Sequence, residues 1–280
     1  CNVSQPALSA QVKKLEERLG VELFARTNSG VITTDAGSRI VVTAKDVLRA
    51  TQRIVDTAAE YHDPLAAPLR IGAIPTLAPF FIPYLTATIR GLAGQLRPVY
   101  RERPTEALWE ELDTRVVDVA LMSGPVEAAG YKFTPLFREP LFLMVSNRHT
   151  LANMPSISAC EIPVEELLLL TKEHCLRAET TALCRNENIG LDMDSEILAT
   201  NFLTMSHFLS DSVGCSLVPK LACDAIGRAN PDVTFIKVDD ESYGRDIGFV
   251  SRKGCPRSDI LSALCGEIRT SLPGGVTTLH

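Results

Sequence analysis

The sequence predicts an α/β protein in three successive parts: a helix with a short strand–turn–strand behind it, one long helix, and a two-lobed region of alternating strands and helices. Three observations point there. Apolar residues recur at +4, +3 and +4 from Leu8 through Val12, Leu15 and Leu19, one face of a helix. A second helical stripe runs from Ile40 to Ala58. From Leu69 onward, short apolar runs bounded by turn residues alternate with helix-period segments, the pattern of a parallel sheet with crossover helices.

Composition narrows the class. With 280 residues, 45% hydrophobic and 22% charged, the chain is long enough for two or three globular domains. Its longest apolar run is far short of a bilayer span, so no membrane partner is expected. No charged-then-apolar leader opens it, and its eight cysteines are too sparse for a disulfide scaffold. Reduced thiols and a cytoplasmic location are therefore expected. The net charge of −6 excludes indiscriminate nucleic-acid binding. Residues 1–62 hold 8 Lys and Arg against 7 Asp and Glu, while residues 63–280 hold 20 against 27, which places any nucleic-acid contact in the N-terminal part.

The chain opens on Cys1 rather than Met, as a fragment or processed product does. Ser4 is suited to cap the first helix, and Pro6 sits in the first turn, where a missing N–H costs nothing. Gly20 ends the helix. Its polar face carries Gln5, Ser9, Lys13 and Lys14, side chains that bond base edges and phosphates. The segments VELFARTNSG and VITT then form a strand–turn–strand suited to a wing, with Arg26 and Thr27 near the turn. Over residues 35–62, Ile40, Ala44, Val47, Leu48, Ile54, Val55 and Ala58 repeat at helical spacing. Nothing before them shields that stripe, so pairing with a second copy is expected. HDPLAAP, residues 62–68, reads as a hinge.

LRIGAI, RPVYRER and VDVALM then read as strands, separated by helices in PTLAPFFIPYLTATIRGL and TEALWEELDTRVV. Ligands of such sheets sit at the carboxyl ends of the strands. Thr76 and Thr105 occupy two such places, each beside a proline, as ligand contacts or as plain helix caps. A second α/β unit begins at FREPLFLMVSNRHTLAN, and the chain returns to the first through the strand RDIGFVSRKG and a final helix bearing Ile260, Leu264 and Ile268. Two lobes joined by a crossing and returning chain form a periplasmic-binding-protein-like arrangement. The expected divisions are 1–34 for the helix and wing and 35–68 for the linker helix and hinge. Lobe I is expected at 69–138 with 245–272, and lobe II at 139–244. The tail PGGVTTLH is expected to be disordered.

Within lobe II, LLLLTKEHCLRAETTALCR places Cys175 and Cys184 nine residues apart, with His174 and Arg177 flanking the first. Leu167–Leu170 reads as a buried strand and the residues after Cys175 as a helix. On one helix, that spacing gives about 13 Å of rise, whereas a disulfide needs Cα atoms within about 7 Å. Joining the two thiols requires unwinding, the physical basis of a redox switch. The cationic Arg177 favours the thiolate. The plainer alternative is two inert buried cysteines, and a metal held by His174, Cys175 and Cys184 is the third. No close CxxC pairing supports a metal, so neither metal nor cofactor is expected. Cys215 and Cys223 lie in apolar surroundings and read as inert core residues, while Cys160, Cys255 and Cys265 suggest no role.

The N-terminal run SQPALSAQVKKLEERLGVELFART resembles the winged helix-turn-helix of LysR-type transcriptional regulators, whose effector domains share the two-lobed arrangement. The resemblance implies DNA as a partner, with base contacts from Ser4, Gln5 and Ser9 and phosphate contacts from Arg26, Thr33 and Thr34. The family's first helix and most of its second have no counterpart here, so a recognition helix without its supports is expected to bind DNA poorly. It further implies a homo-oligomer, dimer or tetramer through the linker helix, with RNA polymerase as a partner.

IGAIPTLAPFFIPYL and HCLRAETTALC are similar to the hydrogen-peroxide-sensing members of that family, over the full length of the chain. That likeness implies a peroxidatic Cys175 and a resolving Cys184, with Thr76, Thr105, His174, Arg177 and Arg245 lining a peroxide pocket. It implies a sulfenic acid on Cys175 that condenses with Cys184, reset by a cellular dithiol reductant. Where that group often has Asp, this chain has Ala178, so the corresponding hydrogen bond falls to Glu179 or is not made. A regulator of a metabolite bound between the lobes is the alternative. A thiol peroxidase is disfavoured, because turnover needs neither a DNA-binding segment nor a dimer helix.

Overall fold

A computed structural model describes residues 4–27, 30–63, 65, 67–92, 94–186, 198–199, 201–211, 214–240 and 242–279. Two compact units emerge, residues 1–62 and 63–280.

In the first unit, helix α1 (Gln5–Leu19) has Pro6 in its first turn and ends at Gly20, whose φ of 71° is the left-handed conformation a helix stop uses. Ser4 stands at the N-cap, but its hydroxyl makes no capping bond, so the cap expected of it is not formed. Glu16 ties the helix to the segment leading into the wing, its Oε1 accepting from the N–H groups of Leu23 (2.7 Å) and Phe24 (3.1 Å). Strands β1 (Phe24–Thr27) and β2 (Gly30–Thr33) pair antiparallel, Phe24 opposite Thr33 and Arg26 opposite Val31, the wing expected from the sequence. Helix α2 (Asp35–His62) runs unbroken for 28 residues. Its N-terminus is capped by Thr34, whose Oγ1 accepts from the Gly37 N–H at 2.9 Å and donates to the Glu22 carbonyl at 2.7 Å.

The second unit opens with β3 (Leu69–Ala73), α3 (Ala78–Leu92), β4 (Pro98–Glu102), α4 (Thr105–Asp113) and β5 (Val119–Gly124). Strand β3 lies parallel to both β4 and β5, as the βαβ pattern requires. Strand β6 (Tyr131–Ser146) is the crossover. Lobe II follows with β7 (Ser156–Ile157), β8 (Leu169–Leu170), α5 (Cys175–Asn186), β9 (Leu198–Ala199), α6 (Phe202–Asp211), β10 (Cys215–Pro219), α7 (Lys220–Ala229) and β11 (Val233–Val238). The chain returns through β12 (Gly244–Arg252) to α8 (Ser258–Thr270) and β13 (Thr277–Thr278). The main sheet runs β4-β3-β5-β12-β6-β11-β7, with β10 and β13 also pairing β6.

Strand β6 belongs to both halves: Tyr131–Pro140 pair with β12, and Leu141–Ser146 with β10 and β11. Two apolar cores flank the crossover. One gathers Leu69, Ile71, Phe81, Leu85, Leu108, Leu121, Phe137 and Leu264, and the other Leu143, Val145, Met205, Leu209, Leu217 and Ile236. They exchange side chains: Phe80 of α3 packs on the second core and Cys175 of α5 on the first.

Two expectations are corrected. The apolar run Leu167–Leu170 yields only a two-residue strand, because Val164–Glu166 form a 3-10 turn and Leu167 makes a lone bridge to Cys215. The tail is ordered at Thr277–Thr278, which pair with Arg138 and Phe137 of β6, and the Leu279 N–H donates to the Leu136 carbonyl at 3.1 Å. At the end of the expected hinge, the buried Arg257 donates to the carbonyls of Ala67 (2.9 Å) and Pro68 (2.8 Å), and to Asp118 Oδ2 at 3.4 Å. Among the described residues no helix is long and apolar enough to cross a membrane.

Candidate functional site: a buried thiol between two lobes

Cys175 is the first residue of α5, where a helix N-terminus favours an anion. Its backbone belongs to lobe II, yet its side chain is half-buried against the core of lobe I. Thr105, the first residue of α4, does not cap that helix. Its Oγ1 is buried without a hydrogen-bond partner among the described residues, and it lies close enough to Cys175 to favour the thiolate. The cap alternative for Thr105 is therefore not realised.

The cation acting on the sulfur is Arg245 of β12. That guanidinium is buried and held on three sides. Its Nε and Nη2 donate to Glu139 Oε2 at 2.9 and 2.8 Å, Nη1 donates to Thr76 Oγ1 at 2.8 Å, and Nη2 to the Thr76 carbonyl at 3.1 Å. Glu139, fully buried, also accepts from the Leu221 N–H at 2.8 Å through Oε1. Thr76 is thus linked to the site through Arg245, its hydroxyl oxygen already engaged. Burial would lower the Arg245 pKa, but Glu139, Glu179 and Cys175 carry it upward, so the residue stays cationic.

Electrostatically the thiol is held back. Burial pushes the Cys175 pKa above its ordinary value and the Glu179 carboxylate adds to the rise, whereas Arg245, Thr105 and the Leu176 N–H pull it down without cancelling it. Glu179 stands one helical turn beyond Cys175, on the same face. Its Oε2 is buried without a hydrogen-bond partner among the described residues, and so is His174 Nδ1.

His174 and Thr76 face a cleft of about 480 Å³ between the lobes, lined also by Phe80, Glu102, Asn201 and Phe202. Arg177 lies elsewhere, its Nη1 donating to the Leu170 carbonyl at 2.9 Å inside lobe II. Cys184 falls on the backbone of α5, but its side chain lies outside the described residues. The structure therefore brings Cys175, Thr105, Arg245 and Thr76 together, with His174 beside them and Arg177 turned into lobe II. Glu139 was missed. Its one signal in the sequence is a carboxylate at the head of the apolar run PLFLMV.

Four of the other thiols are shielded by burial. Burial pushes Cys223 up to about 12 and Cys265 up to about 11, and Cys215 and Cys255 are buried. Cys160 is exposed, 3.3 Å from Ser158 Oγ. No group of three or more His, Cys, Asp or Glu among the described residues is placed to hold a metal.

Ser4, at the N-cap of α1, and Gln5, Ser9, Lys13 and Lys14 along it are all exposed, as is the helix's apolar face at Leu8, Leu15 and Leu19. Thr33 is exposed on β2, while Thr34 is half-buried as the cap of α2. The Arg26 side chain lies outside the described residues.

Residues 1–38 match the bacterial regulatory helix-turn-helix protein model of the lysR family, and residues 62–273 match the LysR substrate binding domain. The DNA-binding transcriptional dual regulator OxyR of Escherichia coli K12 is 31% identical over 274 residues, 98% of this chain and 89% of that one. The hydrogen peroxide-inducible genes activator of Pectobacterium carotovorum is 31% identical over 279 residues, covering 100% of this chain and 91% of that one. A hydrogen peroxide-bound cysteine mutant of Corynebacterium glutamicum OxyR superposes with a TM-score of 0.69 at 28% identity, over 96% of this chain and 84% of that one. The chain belongs to the LysR family of helix-turn-helix transcriptional regulators, in its OxyR group, and is a DNA-binding regulator rather than an enzyme.

Proposed function

We propose that this chain senses hydrogen peroxide through Cys175 and answers with a reversible Cys175–Cys184 disulfide that changes its engagement of promoter DNA. The observation that carries the reading is the placement of Cys175: at a helix N-terminus, between two lobes, beside the buried Arg245 and the unpartnered Thr105 hydroxyl. The thiolate attacks one peroxide oxygen, the O–O bond breaks, and the sulfenic acid condenses with Cys184, releasing water. Helix α5 runs from Cys175 to Asn186. Nine residues of helix separate the two thiols by about 13 Å, so the bond forms only once α5 unwinds.

Unwinding withdraws Cys175 from the core of lobe I and alters how the lobes, 69–138 with 245–272 and 139–244, sit together. The linker stripe on α2 pairs two copies, so the change alters the spacing of the DNA-binding heads. RNA polymerase reads the result, and a cellular dithiol reductant resets it. The apolar cleft beside His174 suits a metabolite better than a peroxide and keeps the alternative open to test.

The test is a thiol count and disulfide map of the full chain before and after one equivalent of hydrogen peroxide, with Cys175→Ser alongside. A new Cys175–Cys184 bond, absent from the variant, is the expected outcome. Two thiols that survive peroxide untouched would overturn the reading and turn the search to a metabolite in the cleft.

A further inference from the structure

Glu139 is fully buried and has no part in the scheme so far. It stands directly opposite Arg245 where β6 pairs with β12, so the two side chains share a face of the sheet. Its Oε2 takes both Nε and Nη2 of that guanidinium, at 2.9 and 2.8 Å. Its Oε1 accepts from the Leu221 N–H at 2.8 Å, in the first turn of α7, whose N-cap Pro219 supplies no side-chain bond. Capping α7 accounts for Oε1. It does not account for the other oxygen, which engages the guanidinium that acts on the Cys175 sulfur.

Charge decides what that second contact does. Arg245 feels Glu139, Glu179 and Cys175. One cation therefore faces two carboxylates before the thiol ionises, and a thiolate would be a third anion on it. A guanidinium in contact with a carboxylate presents a dipole, whose field falls off faster than that of a lone charge. We propose that Glu139 is a positioning residue that restrains Cys175, its carboxylate offsetting the charge of Arg245 so that the guanidinium draws the sulfur less strongly toward the thiolate. This rests on Cys175 being the peroxidatic thiol and sets how readily that thiol responds. The charges that bear on the sulfur itself are Glu179, from its own helix, and Arg245, from β12, with the Thr105 hydroxyl of α4 beside them and His174 just before it in the chain. On the flank of α7, Lys220 and Asp224 pair with each other at 3.5 Å. Losing the Glu139 charge does not release Arg245, because Thr76 still holds Nη1 through Oγ1 at 2.8 Å and Nη2 through its carbonyl at 3.1 Å.

The experiment reads the ionisation of this one thiol without peroxide. Only the thiolate is alkylated, so the rate of Cys175 alkylation by iodoacetamide, followed on its own peptide by mass spectrometry, is measured from about pH 6 to 11, across the ordinary thiol range. The full chain is compared with Glu139→Gln and with the double variant Glu139→Gln/Arg245→Gln, and oxidation by hydrogen peroxide at pH 7 is followed alongside. In Glu139→Gln the midpoint is expected to fall by about one pH unit, the scale of one neighbouring charge. The thiolate fraction at pH 7 then rises about tenfold, while the less basic sulfur is a weaker nucleophile, with a Brønsted slope of about 0.4–0.5, so oxidation by peroxide quickens about threefold. An unmoved midpoint, the mark of a residue that only caps α7, overturns the proposal. So does a rise, which would mean that Glu139 aims Arg245 at the sulfur rather than blunting it. Removing one member of a buried ion pair is destabilising, whereas removing both is often tolerated, so the double variant carries the test where Glu139→Gln does not fold. If the carboxylate offsets the guanidinium, losing both leaves the midpoint near that of the wild type. A rise of about one pH unit or more in the double variant shows Arg245 acting at full strength and overturns the proposal. A wild-type Cys175 that is alkylated but inert to peroxide would overturn the peroxidatic assignment itself, an outcome distinct from any movement of the midpoint.

Discussion

At the scale of single residues, the surroundings of Cys175 favour the thiol over the thiolate. Burial and Glu179 raise its pKa above the ordinary 9.0, against Arg245 and Thr105. Only the thiolate attacks a peroxide. With the pKa raised, the thiolate is a minor species throughout neutral pH, and its population grows about tenfold per pH unit. The rate of Cys175 oxidation by peroxide, followed by stopped flow, is therefore expected to rise about tenfold from pH 6 to 7 and again from 7 to 8. A rate already level at pH 7 would show a thiol ionised well below its ordinary range. The sequence singled out Cys175, Thr105 and Thr76, the last of which the structure places against Arg245, because Cys, Thr and Pro near strand ends are local signals. It did not disclose which arginine faces the sulfur. Arg177 is adjacent in sequence, but its guanidinium is spent on the Leu170 carbonyl, and Arg245 arrives from a strand 70 residues away. Proximity along the chain is a poor guide once a helix turns successive side chains to different faces.

Among the elements, the junction of wing and linker helix is the most tightly specified contact of the first unit. A Cβ on Gly37 would lie 2.0 Å from the Leu23 carbonyl oxygen and 2.9 Å from Thr33 Cγ2. The oxygen is backbone and accepts the Thr34 N–H at 3.0 Å, so it cannot retreat without losing that bond. Gly37→Ala is expected to cost at least about 2 kcal/mol locally by overpacking, read as lost hydrogen-exchange protection over the first turns of α2 in the full chain. Unchanged protection would mean that this approach is not tight. The long elements were legible because their apolar periodicity is internal to each segment: α1, α2, and the β3–α3–β4–α4–β5 series all follow from it. Strand β13 was not, since its two residues are held by hydrogen bonds to the crossover strand rather than by any pattern of their own. The short β8 went the other way, an apolar run that the preceding 3-10 turn cuts to two residues.

For the whole molecule, the outstanding feature is how much apolar surface α2 leaves open. Val42, Val47, Leu48, Ile54 and Val55 are between 58% and 72% exposed, on a helix of 28 residues. An amphipathic helix gains most of its stability from burying that stripe against something. Burying a leucine or isoleucine side chain is worth about 1.5–3 kcal/mol each, so a second copy packed along the stripe would be held by several such side chains. Placing a carboxylate at the centre of such a contact removes one anchor and strands a charge in its place. Leu48→Glu combined with Ile54→Glu is therefore expected to shift the full chain from dimer to monomer in sedimentation velocity. Both positions are exposed, so the effector lobes keep their fold and Cys175 keeps its reaction with peroxide. That separation is the informative part: in the proposed scheme, peroxide chemistry depends on contacts within one chain, whereas its conversion to altered DNA spacing requires two. A double variant that still sediments as a dimer would place the interface elsewhere and leave the stripe on α2 without its proposed partner.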